Sequence, residues 1–246
     1  MTSILNISAY RFVALSELAR WRESIRSQAQ ARALRGTVLL AEEGINLFIA
    51  GAAPAVRAFL AWLTAHEAFA GLPLKESWSS EVPFGRLRVK VKAEIIRMNH
   101  PMIRPQAGRA PIVDANTLAR WLDAGVDDTG REVVTLDTRN AFEVEHGRFR
   151  GARSLRIAKF SEFPQALQER RAEFDGKTIV SYCTGGIRCE KAALWMAEAG
   201  LANVLQLDGG ILKYFEEAGG KHFEGDCFVF DERETLTDTL AAVRAV

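Results

Sequence analysis

In the first third of the chain, apolar residues recur with the period of a strand in some segments and with that of a helix in others. The order of these segments predicts a succession of strands and helices. A short apolar run over residues 3–10 predicts a first strand. A helix is predicted from Ser16, as its N-cap, to about Arg35, because apolar residues between them recur at helical spacing. Gly36 is expected to end this helix.

The next stretch predicts a further helix and several strands. They are strands over 37–41, 45–51, 74–79 and 87–95, and a helix over 53–67. In the last strand, apolar residues alternate with basic ones, which is the period of a half-solvated strand. The order strand-helix-strand-strand-helix-strand is typical of a small ferredoxin-like α+β domain, which we assign to residues 1–96.

The pattern changes after a stretch that has no periodicity. Residues 97–112 hold three of the seven prolines and are interpreted as a linker. Over residues 113–220, strands are predicted at 133–137, 178–183 and 203–207, and helices at 114–124, 159–174 and 189–199. Short apolar strands that alternate with helices indicate an α/β domain with a parallel sheet. Residues 221–246, with 3 basic and 6 acidic residues, are interpreted as a C-terminal tail.

Composition narrows the class of protein. Apolar residues make up 48% of the chain and charged residues 26%, as in globular proteins, and the formal net charge is only +1. Three cysteines cannot all pair within one chain, and free thiols suit a reducing cytoplasm. The sequence contains no apolar run long enough to span a membrane and no signal-peptide pattern, so we expect a cytoplasmic protein with no membrane partner.

The loop from Cys183 to Arg188 carries the clearest chemistry. It follows a predicted buried strand and opens a helix, which is where open α/β sheets place their ligand sites. The predicted anion cradle is formed by the backbone N–H groups of Thr184, Gly185, Gly186 and Ile187. Arg188 is expected to close the cradle with its planar fork, and these groups together favour the reactive thiolate of Cys183.

The same loop resembles the active-site loop of rhodanese domains. Three further segments share that resemblance: Leu136-Asp137-Thr138-Arg139 with Phe142-Glu143, the run from His146 to Ala152, and Leu207-Asp208-Gly209-Gly210-Ile211. The resemblance covers about residues 113–220 and implies a rhodanese-like α/β domain.

Stretches in both halves are similar to one rhodanese-containing family, the bacterial tRNA uridine hydroxylases. They are 39–46, 89–95, Cys189-Glu190-Lys191 and 227–233. This resemblance implies a monooxygenase that hydroxylates C5 of the wobble uridine, position 34, and yields 5-hydroxyuridine in the anticodon loop of tRNA. It implies Cys183 as the catalytic cysteine and molecular oxygen as co-substrate. The sequence contains no evident cofactor motif and does not identify the electron donor.

Other readings of the loop stay open at this point. Cys183 could carry a persulfide in a sulfurtransferase, although Thr184 stands where thiosulfate-using rhodaneses commonly have a basic residue. The chain could also be a non-enzymatic RNA-binding module whose loop holds only an anion. Cys189 is either a resolving thiol for oxidised Cys183 or a small residue that packs the first helical turn. No Cys-x-x-Cys pair is present, so we predict no metal site.

Basic residues concentrate in two places despite the neutral balance. The predicted RNA-binding residues are Arg86, Arg88, Lys90 and Lys92 in the first half and Arg148 and Arg150 in the second. Charge runs are usually solvated faces, but two such patches in a neutral protein favour a polyanion as ligand. RNA is the expected polyanion, with tRNA implied by the resemblance, and DNA is not expected.

Overall fold

The computed structural model describes residues 3–243, which form two compact units. The first unit comprises residues up to Arg97 together with Asp231–Arg233. The second comprises Met98–Phe230 and the described residues from Glu234 onwards. None of the helices in residues 3–243 has the length and apolar character needed to cross a bilayer.

The first unit is a five-stranded sheet with two helices. Its elements are β1 (Ile4–Phe12), α1 (Leu18–Gln30), β2 (Arg35–Ala41), β3 (Gly44–Ala52), α2 (Ala53–Thr64), β4 (Leu74–Ser79) and β5 (Leu87–Val91). The strand order is β4-β1-β3-β2-β5, in which β5 runs parallel to β2 and the other neighbours are antiparallel. The first four strands with the two helices make the ferredoxin-like arrangement predicted from the sequence, and β5 extends it at one edge.

The core of this unit lies between the sheet and its two helices. Apolar residues at alternate positions of β1 and β2 are buried, as expected for strands with one face covered by helices. The helices contribute the predicted apolar stripes, with Ile25 and Ala29 from α1 and Val56, Phe59 and Leu63 from α2 all fully buried. Complete burial of an aromatic side chain such as Phe59 contributes about 2–3 kcal/mol of hydrophobic stabilisation.

Helix α1 is shorter than predicted at both ends. Ser16 is not its N-cap, because Glu17 occupies that position in a left-handed conformation with φ of 52°. Gly36 does not end the helix but lies inside β2 with φ of 134°. A Cβ atom at Gly36 would lie 2.0 Å from the carbonyl oxygen of Phe48 on the neighbouring strand, so the glycine permits close strand pairing.

Strand β5 also ends earlier than predicted. The structure ends it at Val91 rather than at residue 95, and its inward alternation stops at Val89. Val91 is 40% exposed although it occupies an expected inward position. Strand β5 lies at the edge of the sheet, and edge strands bury less of each side chain than central strands. The pattern of apolar residues therefore predicted a longer strand than the structure contains.

The second unit is built around a five-stranded sheet in which all neighbouring strands are parallel. Its helices are α3 (Ala115–Ala124), α4 (Ala141–Val144), α5 (Phe163–Glu169), α6 (Ile187–Glu198) and α7 (Gly210–Ala218). Its strands are β6 (Ile112–Val113), β7 (Val133–Asp137), β8 (Gly147–Phe149), β9 (Arg153–Ser154), β10 (Thr178–Tyr182), β11 (Val204–Leu207), β12 (Phe223–Gly225), β13 (Cys227–Phe228) and β14 (Thr235–Leu236). The main sheet has the order β6-β11-β10-β7-β9, and β12-β8 and β13-β14 form two small antiparallel pairs.

The central position of β10 explains its composition. Every residue of β10 is buried, because strands flank it on both sides and helices cover the sheet. Helices α3 and α7 pack together, as do α5 and α6. The parallel α/β domain predicted for this part of the chain is therefore confirmed.

Two predicted helices of this unit differ in detail from the structure. The helix predicted over 159–174 is a short α-helix, α5, flanked by single turns of 3-10 helix. Pro164 lies in the first turn of α5, where its missing N–H costs no hydrogen bond, so it starts a new helix. The helix predicted over 189–199 begins at Ile187, which places Arg188 and Cys189 in its first turn.

Candidate active site

The loop between β10 and α6 is hydrogen-bonded to the first residues of α7. The carbonyl oxygens of Cys183 and Thr184 accept hydrogen bonds from the backbone N–H groups of Ile211 (2.9 Å) and Leu212 (3.1 Å). Gly210 allows this approach, because a Cβ atom there would lie 2.4 Å from the carbonyl oxygen of Cys183. The Gly-Gly-Ile segment of the sequence therefore fixes the position of the cysteine-bearing loop.

The thiol of Cys183 lies at the carboxyl end of the central strand and is fully buried. Its Sγ accepts a hydrogen bond from the backbone N–H of Gly186 at 3.2 Å. The Sγ of Cys189 lies 4.0 Å from that of Cys183, and the Cys189 thiol donates to the carbonyl oxygen of Gly186 at 2.9 Å. The two sulfur atoms thus share one small pocket of backbone polar groups.

These surroundings make the two thiols differ in acidity. Burial by itself raises the pKa of Cys183, but the adjacent Cys189 thiol, the charge of Arg188 and two backbone N–H groups outweigh it and lower the pKa to about 5. Burial and the neighbouring Cys183 raise the pKa of Cys189 well above its ordinary value. Burial also raises the pKa of Cys227, to about 12. Cys183 is therefore the thiol that is ionised at neutral pH.

Arg188 is paired with a carboxylate. Its two terminal nitrogens contact the two carboxylate oxygens of Glu143 at 2.5 and 2.7 Å, and both side chains are buried. The Nε atom of Arg188 is also buried and has no hydrogen-bond partner in the described structure. Burial would lower the pKa of Arg188, but the hydrogen bonds and charge of Glu143 raise it, so the guanidinium stays charged beside Cys183. The planar fork of Arg188, which was expected to close the cradle, is thus bound by Glu143.

A second buried ion pair supports the segment that carries Glu143. Arg139 is fully buried and contacts Asp137 through Nε (2.9 Å) and a terminal nitrogen (2.6 Å). The same terminal nitrogen donates to the carbonyl oxygen of Gly147 at 2.6 Å. Arg139 therefore ties the end of β7 to the start of β8, with Glu143 on the short helix between them.

Glu143 and Arg139 were not singled out as site residues from the sequence. Both lie in the Asp-Thr-Arg and Phe-Glu segments that carry the rhodanese resemblance. The sequence did offer one indication of a site, since Arg139 and Glu143 have opposite charges and closely follow the predicted strand 133–137. Their partners could not be read from it, because Glu143 and Arg188 are 45 positions apart.

The remaining predicted residues of the cradle differ in what they contact. Gly186, with φ of 104°, turns its N–H towards the Cys183 sulfur. The side chain of Thr184 points elsewhere, since its hydroxyl donates to the carbonyl oxygen of Phe228 at 3.3 Å. Gly185 and Ile187 are half-buried. The structure thus brings Cys183, Gly186 and Arg188 together.

The residues predicted to bind RNA lie on the surface of both units. Arg86, Arg88, Lys90 and Lys92 are exposed in the first unit, and Arg148 and Arg150 are exposed in the second. Arg150, which directly follows β8, is paired with Glu224 of β12 at 2.9 Å. In the part of the chain that the structure describes, no group of three or more His, Cys, Asp or Glu side chains is arranged to hold a metal ion.

The parallel sheet, with its cysteine at the end of the central strand, defines the second unit as a rhodanese-like domain. The family model for the rhodanese-like domain matches residues 116–217, and that for the UPF0176 acylphosphatase like domain matches residues 4–95. Curated relatives named tRNA uridine(34) hydroxylase are similar over nearly the whole chain. The protein of Variovorax paradoxus is 62% identical over 98% of this chain and 92% of its own length. That of Bordetella avium is 60% identical over 98% and 100%, respectively. The chain belongs to the tRNA uridine(34) hydroxylase family, which confirms the resemblance found in the sequence.

Each domain also has distant likenesses among solved structures. A single-domain rhodanese homologue from Saccharomyces cerevisiae is 19% identical, covers 47% of this chain and 87% of its own, and has a TM-score of 0.39. An acylphosphatase from Coxiella burnetii is 18% identical, covers 36% of this chain and 94% of its own, and has a TM-score of 0.29.

Proposed function

We propose that this chain is an enzyme that hydroxylates uridine 34 of tRNA at C5, in the cytoplasm, with molecular oxygen as co-substrate. Relatives named tRNA uridine(34) hydroxylase match 98% of this chain. The observation that carries the proposal is the acidic thiol of Cys183, held at the carboxyl end of the central strand. An ionised sulfur at neutral pH is the nucleophile that this chemistry needs.

Cys183 is proposed to activate the base by addition. The thiolate forms a bond from Sγ to C6 of uracil, and the electron pair of the C5–C6 double bond moves to C5 and the O4 carbonyl. C5 then accepts an oxygen atom derived from molecular oxygen. Loss of the C5 proton and of the sulfur restores the double bond and releases 5-hydroxyuridine. The second oxygen atom leaves as water, so the overall reaction consumes two electrons from a reductant.

Arg188 and the loop backbone are proposed to stabilise the charge that develops on the base. The guanidinium is buried, where its field is less screened than in water. Glu143 holds its plane, and this geometry is prepared before the substrate arrives. The sulfur of Cys183 is itself fully buried, so entry of the base requires rearrangement of the residues that cover it.

Binding of the tRNA is assigned to the exposed basic residues. The proposed phosphate contacts are Arg86, Arg88, Lys90, Lys92, Arg148 and Arg150. The anticodon loop is the proposed target because its bases are single-stranded, so turning one out of the stack costs little.

The test is a nucleoside analysis of tRNA by mass spectrometry. Cells that lack the gene should lose 5-hydroxyuridine and its derivatives, the gene should restore them, and a gene with Cys183→Ser should not. Full restoration by Cys183→Ser would contradict the role of the thiol and leave a binding function only. Purified protein that forms thiocyanate from thiosulfate and cyanide, but no 5-hydroxyuridine, would instead support a sulfurtransferase.

A further inference from the structure

Three phenylalanine rings form a cluster on the second unit that the proposed function does not use. Phe228 meets Phe142 at 5.2 Å between ring centroids and Phe230 at 5.2 Å, both edge to face. The ring of His146 lies against Phe228 at 5.3 Å and is tilted by 36°. We call Phe142, Phe228 and Phe230 the phenylalanine cluster.

Two rings of the cluster are exposed, and the third, Phe228, is half-buried. Phe142 is 44% exposed and Phe230 is 50% exposed. Exposed aromatic rings that are packed against one another present a continuous apolar surface, which in soluble proteins marks a site of interaction. The rings come from α4 and from the segment that includes β13, so the tertiary fold assembles this surface.

The cluster lies beside the candidate active site. The guanidinium carbon of Arg188 is 5.8 Å from the ring centroid of Phe230. The carbonyl oxygen of Phe228 accepts the hydroxyl hydrogen of Thr184, the residue after Cys183. Phe142 directly precedes Glu143, which holds Arg188. A flat group that rests on these rings would therefore lie next to the cysteine-bearing loop.

We propose that the phenylalanine cluster is a stacking platform for a nucleobase of the single-stranded tRNA segment that presents the target uridine. This inference rests on the proposed function for its substrate. Stacking on aromatic side chains is the common way in which proteins hold unpaired bases. The neighbouring charges favour the same ligand, since Arg188 lies against the cluster and two exposed basic residues follow His146 closely: Arg148 on β8 and Arg150 directly after that strand. A lipid or an apolar peptide would gain nothing from a buried guanidinium at the edge of the patch.

The test measures the binding of a synthetic anticodon stem-loop RNA to the full chain. Phe230→Leu keeps an apolar side chain but removes the π-face, and it should weaken binding about tenfold. Phe230→Trp, which keeps a π-face, should bind within about twofold of the wild type. The slope of log affinity against log salt should be the same for all three proteins, because stacking releases no counterions. Trp78→Leu is the matched control: Trp78 is 47% exposed but lies on β4 in the first unit, and its loss should leave binding unchanged.

A double-mutant cycle then identifies the base. RNAs with an abasic residue at position 34, or at either neighbouring position, are titrated against the wild type and Phe230→Leu. The base whose removal eliminates the difference between the two proteins is the one that stacks. A difference that persists with every abasic RNA, or no weakening by Phe230→Leu on intact RNA, would overturn the proposal.

The outcome is separate from that of the proposed function. If the wild type forms no 5-hydroxyuridine but the cycle shows coupling, the activity is wrong and the stacking site stands. If the wild type hydroxylates tRNA and Phe230→Leu binds and reacts like it, the stacking site is wrong and the activity stands. The reactivity of Cys183 and the melting temperature of Phe230→Leu should match those of the wild type, which separates lost stacking from a disturbed loop.

Discussion

The carboxylate of Glu143 holds both terminal nitrogens of Arg188 at 2.5 and 2.7 Å, and neither side chain is exposed by more than 5%. This pair places a fixed positive charge beside Cys183. Removal of one partner of a buried ion pair leaves the other charge uncompensated, which costs more than the pair contributes.

We predict that Glu143→Gln destabilises the second unit by about 3 kcal/mol, because Gln keeps the shape but leaves the buried guanidinium without its counter-charge. Urea denaturation followed by fluorescence measures the change. Glu145→Gln is the control, since Glu145 is exposed and two residues away. Equal stability of the two variants would show that the pair is not needed to compensate Arg188.

A second prediction concerns the pH dependence of thiol reactivity. The pKa of Cys183 is lowered to about 5, so its thiolate is formed as the pH rises through 5 and its reaction with a small methanethiosulfonate should reach a plateau by pH 7. Cys189 and Cys227 are equally buried but have raised pKa values, so they serve as internal controls that should react slowly at pH 7.

The lowered pKa of Cys183 also determines how the free energy of unfolding changes with pH. Because the folded state lowers the pKa of Cys183, the stability that this thiol contributes is fully present above the pKa of the unfolded chain and decreases as the pH falls towards 5. Equal labelling rates for the three cysteines at pH 7 would contradict both the lowered pKa and this pH dependence.

Arg188→Lys tests the planar fork. Lysine keeps the charge but lacks the planar fork that pairs two nitrogens with the two oxygens of Glu143, so the group loses its fixed orientation. We expect kcat to fall on the order of 100-fold while the affinity for tRNA stays near that of the wild type. Full turnover by the variant, measured as 5-hydroxyuridine formed on tRNA, would show that charge alone suffices.

Replacement of Arg88, Lys90 and Lys92 by alanine tests the proposed phosphate contacts of the first unit. Each contact that is lost should flatten the slope of log affinity against log salt by ~0.7, and affinity should fall for all tRNAs alike. The matched control is Arg20→Ala, Arg22→Ala and Arg57→Ala, which removes the same charge from exposed residues of that unit that are paired with glutamates. Identical slopes for the two triple variants would move the RNA site to the Arg148 and Arg150 surface.

The distance between Cys183 and Cys189 predicts a trapping reaction. Hydrogen peroxide oxidises the Cys183 thiolate to a sulfenic acid, and the Cys189 thiol, 4.0 Å away, then displaces water to form a disulfide. Intact-mass measurement of oxidised wild type should show the loss of two hydrogens. Cys189→Ser should instead retain a sulfenic acid that dimedone labels, whereas Cys227→Ser should behave like the wild type. Dimedone labelling of the wild type as strong as that of Cys189→Ser would exclude Cys189 as the resolving thiol.

Local pattern was sufficient for several elements and for the cysteine-bearing loop. The periods of β7 and of α3 are properties of neighbouring residues, and the structure has both elements as predicted or within one residue. The cysteine-bearing loop could be predicted for the same reason, because its strand, its two glycines and the start of its helix are consecutive in the sequence.

Tertiary structure alone decided which distant residues meet. Glu143 pairs with Arg188, and Phe142 packs on Phe228, because the order of the parallel strands brings the end of β7 beside that of β10 and the C-terminal segment returns to the same edge. Gly36 resembled a helix stop in the sequence, but the approach of Phe48 on the neighbouring strand is what requires it. Local spacing encodes how a segment folds, whereas the pairing of charges and rings depends on strand order and register, which no short window of sequence contains.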